Sequence, residues 1–510
     1  MADDRIGLAL SGGGFRATFF GLGVLHYLVD SGHNDQLAAI SSVSGGSYAS
    51  AFIASSLAEL DRSIADATPQ EFTGVVEPLI ASVTTKGIWK SNRFGQFAAK
   101  AAIVPAAWYL LKKTLVRNSV VGRAVVHLGA AGAVSVVAQQ RGQAISSAIW
   151  DVLFGKPAPP LADGAQRGVD HVFCATNLHD GKFIYLSSRF VYSRTIGWGS
   201  PRRETFSGEE VSLTLRDAVD ASSALPIIFP TYLLPGSAFE NETRPSTPRE
   251  IHAVDGGIYD NLGEQWFRTV SSRLSEDEKT HHGIVEPNVL IVANARAAMK
   301  HRKWLPGSTI PIARKRIRFL SSFASIWRVV QVLLHNTTAR DGARLARQFK
   351  DAFDYHQETS EPPPATFSKV YQQPEERATA LPKGIRGSFV GIGDTPLKVP
   401  DAILRGTLNG ERIATDAAEQ AVVRATSVRK TLLELNINWK NLADLNLRVP
   451  TQPKRMKPDD VIRLMYHGYV STWANMHTLW SFGGADRIKT LEEYGKEWGH
   501  HGVTAAHVAD

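Results

Sequence analysis

The sequence predicts an α/β fold, a mostly parallel central sheet flanked by helices, and three observations carry that expectation. A short apolar run, a glycine turn and a helix-like stretch follow one another twice within the first sixty residues. Four further short apolar runs, His171–Ala175, Phe183–Leu186, Ile251–Val254 and Asn288–Ala293, recur downstream at lengths that suit strands. Glycines stand directly behind several runs, at Gly12-Gly13-Gly14, Gly45-Gly46 and Gly256-Gly257. Alternation of strand, tight turn and helix is the sequence pattern of strands joined by helical crossovers, which are parallel.

Arg5 to Leu10 is the first strand, and the loop Ser11-Gly12-Gly13-Gly14 ends it. From Phe15 the residues Phe15, Phe19, Leu22, Leu25 and Leu28 recur at near-helical spacing, and Gly32 is a plausible stop. Leu37 to Val43 reads as a second buried strand, and Ser44-Gly45-Gly46 opens a helix reaching about Leu60. The strands His171–Ala175 and Phe183–Leu186 are joined through the turn pair Asp180-Gly181. Leu213 to Ala224 looks helical and stops before Pro226. Ile251–Val254 runs into Asp255-Gly256-Gly257, and Asn288–Ala293 is one more buried strand. Beyond it the chain turns largely helical, with loops at Glu361–Pro364 and Pro450–Lys457 and a helix expected from about Asp459 to His467.

This pattern divides the 510 residues into an α/β region over 1–300, a basic helical segment over 301–350 and a mainly helical extension over 351–510. Residues 78–168 form a basic, apolar insertion within the first region. One cysteine, Cys174, excludes an internal disulfide framework and suits a reducing, cytoplasmic location. No secretory signal is expected, since the chain opens MADDRIGLAL, with acidic residues first. The net charge of +8 is unevenly spread. Nine Lys or Arg and no Asp or Glu lie between Pro78 and Trp150, and ten basic and no acidic residues lie between Pro287 and Arg340.

Three places carry chemistry. A serine hydroxyl is a weak nucleophile and needs a base, exposure at a sharp turn and oxyanion donors. Ser44 stands between a strand and a helix with two glycines behind it, the elbow arrangement of G-x-S-x-G, although Ser42 replaces the first glycine. The same residues would equally suit a serine that merely caps a helix. Gly12, Gly13 and Gly14 offer consecutive backbone N–H groups without side chains in the way, a nest able to hold an oxyanion. Gly12, Gly14 and Ala17 also fit the dinucleotide fingerprint G-x-G-x-x-A, but that motif expects an acid at the end of the second strand, where Ser44 stands instead. Asp255 follows a strand and precedes two glycines, so its carboxylate is unobstructed and could act directly as a general base.

SGGGFRA (Ser11–Ala17), SVSGGS (Ser42–Ser47), ASSALPIIFP (Ala221–Pro230) and VDGGIYDN (Val254–Asn261) occur in an order that resembles the patatin-like and cytosolic phospholipase A2 superfamily. The resemblance spans about residues 5–300 and implies a patatin-like three-layer fold and lipid acyl hydrolysis by a serine–aspartate dyad. It implies Ser44 as nucleophile, Asp255 as base and Gly12, Gly13 and Gly14 as the oxyanion hole. Arg16 matches the loop arginine that holds a substrate phosphate or the loop itself; a structural ion pair is an equal alternative. A neutral-lipid lipase or thioesterase shares these motifs, and a membrane-associating protein without turnover is the reading from another class.

The partners expected are a phospholipid or other acyl-ester lipid and an anionic membrane surface. Ala101–Leu111 and Ala124–Ala138 are apolar runs shorter than the roughly 20 residues that span a bilayer, with Lys112, Lys113, Arg117 and Arg123 between them. Leu320, Phe323, Trp327, Val330 and Leu334 recur at helical steps behind Arg314, Lys315, Arg316 and Arg318. Both patterns suit a helix lying in a membrane interface, or helices packed on the core with solvated charges. Neither resembles a nucleic-acid recognition motif, so no nucleic acid is expected. No H-x-x-x-H arrangement and no calcium loop appears, and the proposed chemistry needs no metal or cofactor.

Overall fold

The structure is a computed structural model that describes residues 4–86, 142–163, 168–204, 210–226, 229–240, 247–271, 274–296, 318–359, 385–413, 418–451, 454–482 and 488–500. The runs Ala101–Leu111 and Ala124–Ala138, the loop Glu361–Pro364 and residues Arg314, Lys315 and Arg316 lie outside the described residues, as do the side chains of Arg318, Leu320, Phe323 and Trp327.

The strands are β1 (Ile6–Leu10), β2 (Leu37–Ser42), β3 (Asp170–Asn177), β4 (Phe183–Leu186), β5 (Val191–Ser193), β6 (Gly197–Gly199), β7 (Arg202–Glu204), β8 (Glu210–Ser212), β9 (Tyr232–Pro235), β10 (Glu250–Asp255), β11 (Val289–Asn294) and β12 (Arg386–Gly391). The central sheet runs β12–β11–β1–β2–β3–β4–β5–β6, with β10 paired to β3 and β9 to β10; β7 and β8 form a separate ribbon. From β12 to β3 every pairing is parallel, and β4, β5, β6, β9 and β10 continue the sheet antiparallel. The parallel strands are covered on both faces, which is why β1, β2 and β11 are nearly continuous apolar or small-residue runs and not alternating ones.

Register places the site. Leu10 pairs with Ser42 on one side and Ala293 on the other, and Ser42 pairs with Phe173. The carboxyl ends of β1, β2 and β11 are therefore level, so the residues leaving them emerge side by side. Asp255 arrives differently. β10 is antiparallel to β3, with Asp255 opposite Ala175, so the aspartate comes down to this level from beyond the end of β3. It stands at a carboxyl end, as expected, but of a strand pointing the opposite way.

Helix α1 (Gly14–Asp30) and helix α2 (Gly45–Ala58) start directly from the glycine turns after β1 and β2. Helix α3 (Pro69–Thr85) starts at a capping box between Thr68 and Glu71 with Pro69 in its first turn. Helix α4 (Leu215–Ser222) is capped by Thr214 and Asp217 in the same way. Helix α5 (Arg318–Thr359) passes over the Asp255 turn, and helix α6 (Pro458–Trp480) lies along α1. Among the described residues no helix is long and apolar enough to cross a membrane.

Residues beyond 351 share this sheet and core. β12 is the sheet's outermost parallel strand, and the main apolar cluster runs without a break from Ile6 to Trp498. β12 escapes a search for apolar runs because Arg386, Gly387, Ser388 and Gly391 occupy four of its six positions. Gly387 is required there: a Cβ would lie 2.1 Å from the Leu290 carbonyl oxygen. Helix α6 continues past His467 to Trp480, through Gly468.

Candidate active site

Ser44 has φ 51° and ψ −113°, a backbone conformation that a residue with a Cβ rarely adopts. Such strain costs on the order of 1–3 kcal/mol and persists only where surrounding contacts impose it. Here Val43 N–H donates to the Leu10 carbonyl at 3.0 Å, and Gly46 N–H donates back to Val43 at 2.8 Å. Ser44 N–H donates to Ser222 Oγ at 3.1 Å, and Ser222 in turn donates to the Cys174 carbonyl at 2.6 Å. Ser47 Oγ meets Ser222 Oγ at 2.8 Å. The turn is also tight: a Cβ on Gly45 would stand 2.2 Å from Gly14 O and 2.6 Å from Gly14 N. Ser42, in place of a glycine, is accommodated by donating to the Val172 carbonyl at 3.3 Å.

The Ser44 hydroxyl does not cap α2. It lies instead beside the Asp255 carboxylate and holds that group's pKa down. Asp255 is 2% exposed, and burial raises its pKa from 3.8 to about 6, against the opposing effects of the Ser44 hydroxyl, the Gly257 N–H at 2.8 Å and the nearby Arg296 charge. A carboxylate that ionises near pH 6 beside a strained serine has the properties a base needs under neutral conditions. Asp255 N–H donates to the Ala224 carbonyl at 3.0 Å, which ties the aspartate to the same α4 segment that holds Ser44.

Gly13 has φ 152° and Gly14 φ 60°, so the loop bends sharply into α1. A Cβ on Gly12 would lie 3.4 Å from the Ser44 Cβ, which puts the loop against the serine. The loop's three N–H groups are not equivalent. Gly12 N–H donates to the Asn261 carbonyl at 3.0 Å. The N–H groups of Gly13 and Gly14, in the open first turn of α1, have no protein acceptor among the described residues.

Arg16 is 5% exposed and turned inward. Its Nε donates to the Ala295 carbonyl at 3.0 Å and Nη1 to the Leu447 carbonyl at 3.2 Å. Burial lowers its pKa to about 10. These contacts tie the first turn of α1 to the backbone beyond β11 and to Leu447. A cation near Asp255 is Arg296, two residues beyond β11, whose pKa burial likewise lowers to about 10 while Asp255 raises it. Arg296 had a legible signal, a cation just past a strand's carboxyl end, where ligands of α/β sheets bind. Ser222 and Asn261 lay inside recognised motifs, but only the structure shows that one anchors the elbow and the other the glycine loop.

Beyond Asp255, the buried carboxylates Asp260, Glu264 and Asp341 approach within 4.8 Å of one another. Asp260 accepts the N–H groups of Leu262, Gly263 and Gln265, and Arg268, Arg340 and Arg344 face the group. A hollow of about 1240 Å³ lies on the other side of α4, bordered by Trp150, Ser223, Ala224, Phe229 and Leu233.

The family model described as "Patatin-like phospholipase" matches residues 8–265. A search of curated protein sequences gives no significant match. Among solved structures, human GIVD cytosolic phospholipase A2 aligns at TM-score 0.46 with 10% identity, over 97% of this chain and 61% of that one. The same human protein in complex with methyl gamma-linolenyl fluorophosphonate aligns at TM-score 0.40 with 12% identity, over 98% and 59%. VipD from Legionella pneumophila aligns at TM-score 0.24 with 12% identity, over 98% and 91%. The chain thus spans about three fifths of the human protein's length. The family match covers more than half of the chain and contains the serine elbow, the glycine loop and the aspartate turn, and the chain belongs to the patatin-like phospholipase family.

Proposed function

We propose that this chain is a lipid acyl hydrolase that cleaves the carboxylic ester of a membrane phospholipid, with Ser44 as nucleophile and Asp255 as its base. The observation that carries the reading is the strained Ser44 standing beside a buried, ionisable carboxylate. Asp255 takes the Ser44 proton as Oγ attacks the ester carbonyl. Gly13 and Gly14 N–H groups receive the negative charge that develops on the carbonyl oxygen, helped by the amino end of α1. The alkoxide leaves with the proton held by Asp255, giving an acyl-serine and a lysolipid. Water then enters, gives a proton to Asp255 and attacks the acyl-serine, releasing the fatty acid and restoring the serine.

The hollow beside Ser223 and Ala224 has room for an acyl chain along Trp150, Phe229 and Leu233, while Asp151, Lys156, Arg216, Asp217 and Asp220 make the rest of its lining polar. The exposed apolar residues Val332 and Leu333 on α5, beside the dyad, support docking on a lipid surface.

The test is fatty-acid release from mixed phospholipid vesicles, resolved by mass spectrometry, for the wild type and for Ser44→Ala and Asp255→Asn. Release by the wild type, with losses on the order of 10⁴-fold or more in Ser44→Ala, is expected. Equal release by Ser44→Ala overturns the mechanism. Release from triacylglycerol or a thioester alone would replace the phospholipid by another acyl donor.

A further inference from the structure

An open sheet leaves a crevice outside the carboxyl ends of its parallel strands. Ser44 and the glycine loop fill the part over β1 and β2. A second hollow of about 450 Å³ lies over the neighbouring ends of β11 and β12, between α5 and α6. Asn294, Arg296, Thr338, Ser388, Ser471 and Asn475 line its polar side. Lys398 and Asp394 stand at its edge as an ion pair of 2.8 Å.

Two features show that this hollow is built for a polar guest. Ser388 and Ser471 are 2% and 4% exposed, and neither hydroxyl has a hydrogen-bond partner among the described residues. A buried hydroxyl left unpaired costs about 1–3 kcal/mol, so a pair of them in one cavity wall marks a place for an acceptor. The second feature is charge. The lining holds the two cations Arg296 and Lys398 against the single carboxylate Asp394.

Arg296 connects this hollow to the dyad. Its Nη1 donates to Thr338 Oγ1 at 3.2 Å, and the same oxygen accepts from Asn261 Nδ2 at 3.0 Å. Asn261 in turn holds the glycine loop through its carbonyl. Arg16 does not line this hollow, and its Nε and Nη1 are taken up by the Ala295 and Leu447 carbonyls.

We infer that the hollow over β11 and β12 receives the phosphate group of a glycerophospholipid, with Arg296 as the receiving cation and Ser388 and Ser471 as hydroxyl donors. The inference rests on the lipid-ester reading and adds to it a headgroup subsite separate from the acyl side. A planar guanidinium suits two phosphate oxygens at once, which a neutral lipid cannot offer.

Two experiments test it. In the first, glycerol 3-phosphate, a glycerophosphodiester and inorganic phosphate are each titrated by calorimetry into Ser44→Ala and into Ser44→Ala with Arg296→Gln. Saturable binding to the first protein, weakened at least tenfold in the second, is expected; no binding of either glycerol phosphate overturns the inference. Binding of inorganic phosphate as well would show that the site holds the free anion, and its exclusion would show that the glycerol arm is needed. This arm does not depend on turnover, so phosphate binding in a protein that hydrolyses no ester would sink the hydrolase reading and keep the site.

In the second, Arg296→Gln, Ser388→Val and Ser471→Ala are compared with the wild type on phospholipid and on diacylglycerol in the same mixed micelles. The readout is the ratio of kcat/KM between the two substrates, which falls at least tenfold in Arg296→Gln through KM on the phospholipid. Equal losses on both substrates would make Arg296 only a support for Asp255, and would overturn the subsite. Circular dichroism establishes folding, and Ser471→Ala, a deletion of one hydroxyl, serves where Ser388→Val disturbs β12.

Discussion

Asp255 has to be ionised to accept a proton, yet it is 2% exposed, and these two facts pull its chemistry and its stability apart. Its folded pKa, about 6, lies above the value of 3.8 expected when exposed. Between those values the folded state binds more protons than the unfolded chain, so stability falls as pH rises through the window and is lowest where both states are ionised. Activity moves the other way, because only the carboxylate can act as base. Hydrolysis is therefore expected to rise through about pH 6 to a plateau, read from kcat/KM against pH. Asp255→Asn should abolish turnover and raise folding stability at pH 7.5 by an amount on the order of 2 kcal/mol. At pH 4, where Asp255 is itself neutral in the folded state, denaturation midpoints of the two proteins should nearly coincide. A stabilisation of the same size at both pH values would show that burial of charge is not its source.

The same residues show what could be read in advance. The turns at the glycine loop, Ser44 and Asp255 were legible because a sharp turn at a strand end needs small neighbours, and glycine is conspicuous. The division of labour in that loop was not, since the choice among three consecutive N–H groups depends on where the Asn261 carbonyl lies, 249 positions after Gly12 in the chain. Arg16 shows the same limit: its motif allows it to hold a ligand or the loop, and its direction is set by the carbonyls of Ala295 and Leu447.

At the scale of elements, the site is two strand-to-helix turns pressed together, and Gly45 is where they touch. Adding a Cβ there would put it 2.2 Å from Gly14 O, which cannot relax without moving either the elbow or the oxyanion loop. Gly45→Ala should lower kcat by roughly 100-fold or more, since misplacing an oxyanion donor costs about that much. A Gly45→Ala enzyme with wild-type kcat would mean that the loop and elbow are not packed this way. Helix α5 makes a second element-scale case. Leu334 packs at the Gly257 turn, while the preceding Val332 and Leu333 are 37% and 46% exposed. Two exposed apolar side chains beside the Asp255 turn are suited to enter a lipid surface, each contributing about 1 kcal/mol for the part still exposed. Replacing both by Glu should reduce vesicle binding and vesicle hydrolysis at least tenfold while sparing a soluble short-chain ester. Co-sedimentation with anionic vesicles and a parallel ester assay distinguish this from a general defect.

At the scale of the molecule, the motifs lie within residues 11–261, but the body that holds them does not end there. Helix α1 begins in the glycine loop, and its outer face is covered by α6, from the far end of the chain. The crossing depends on two glycines: a Cβ on Gly23 would lie 1.9 Å from the Met465 carbonyl oxygen, and one on Gly468 would lie 2.4 Å from that of Phe20. Around this contact Tyr27 meets Tyr469 edge to face, and Asp30 takes the Tyr469 hydroxyl at 2.5 Å and the Lys489 ammonium at 2.9 Å. Close to the loop itself, Arg16 holds Leu447, and a Cβ on Gly14 would meet the Thr451 carbonyl oxygen at 1.9 Å. None of this was legible in the C-terminal sequence, where the informative residues are two glycines and a few carbonyls in ordinary helical surroundings. It predicts that Gly468→Val forces α6 off α1 and costs at least about 2 kcal/mol, the size of an overpacked core. Because α1 begins in the glycine loop, the proposed mechanism requires that activity be lost at denaturant concentrations below those that unfold the sheet, followed by tryptophan fluorescence. A Gly468→Val protein with unchanged midpoint and unchanged kcat would show that α6 is an appendage, whereas coupled losses 424 positions away from Ser44 would make the C-terminal helix part of the catalytic body.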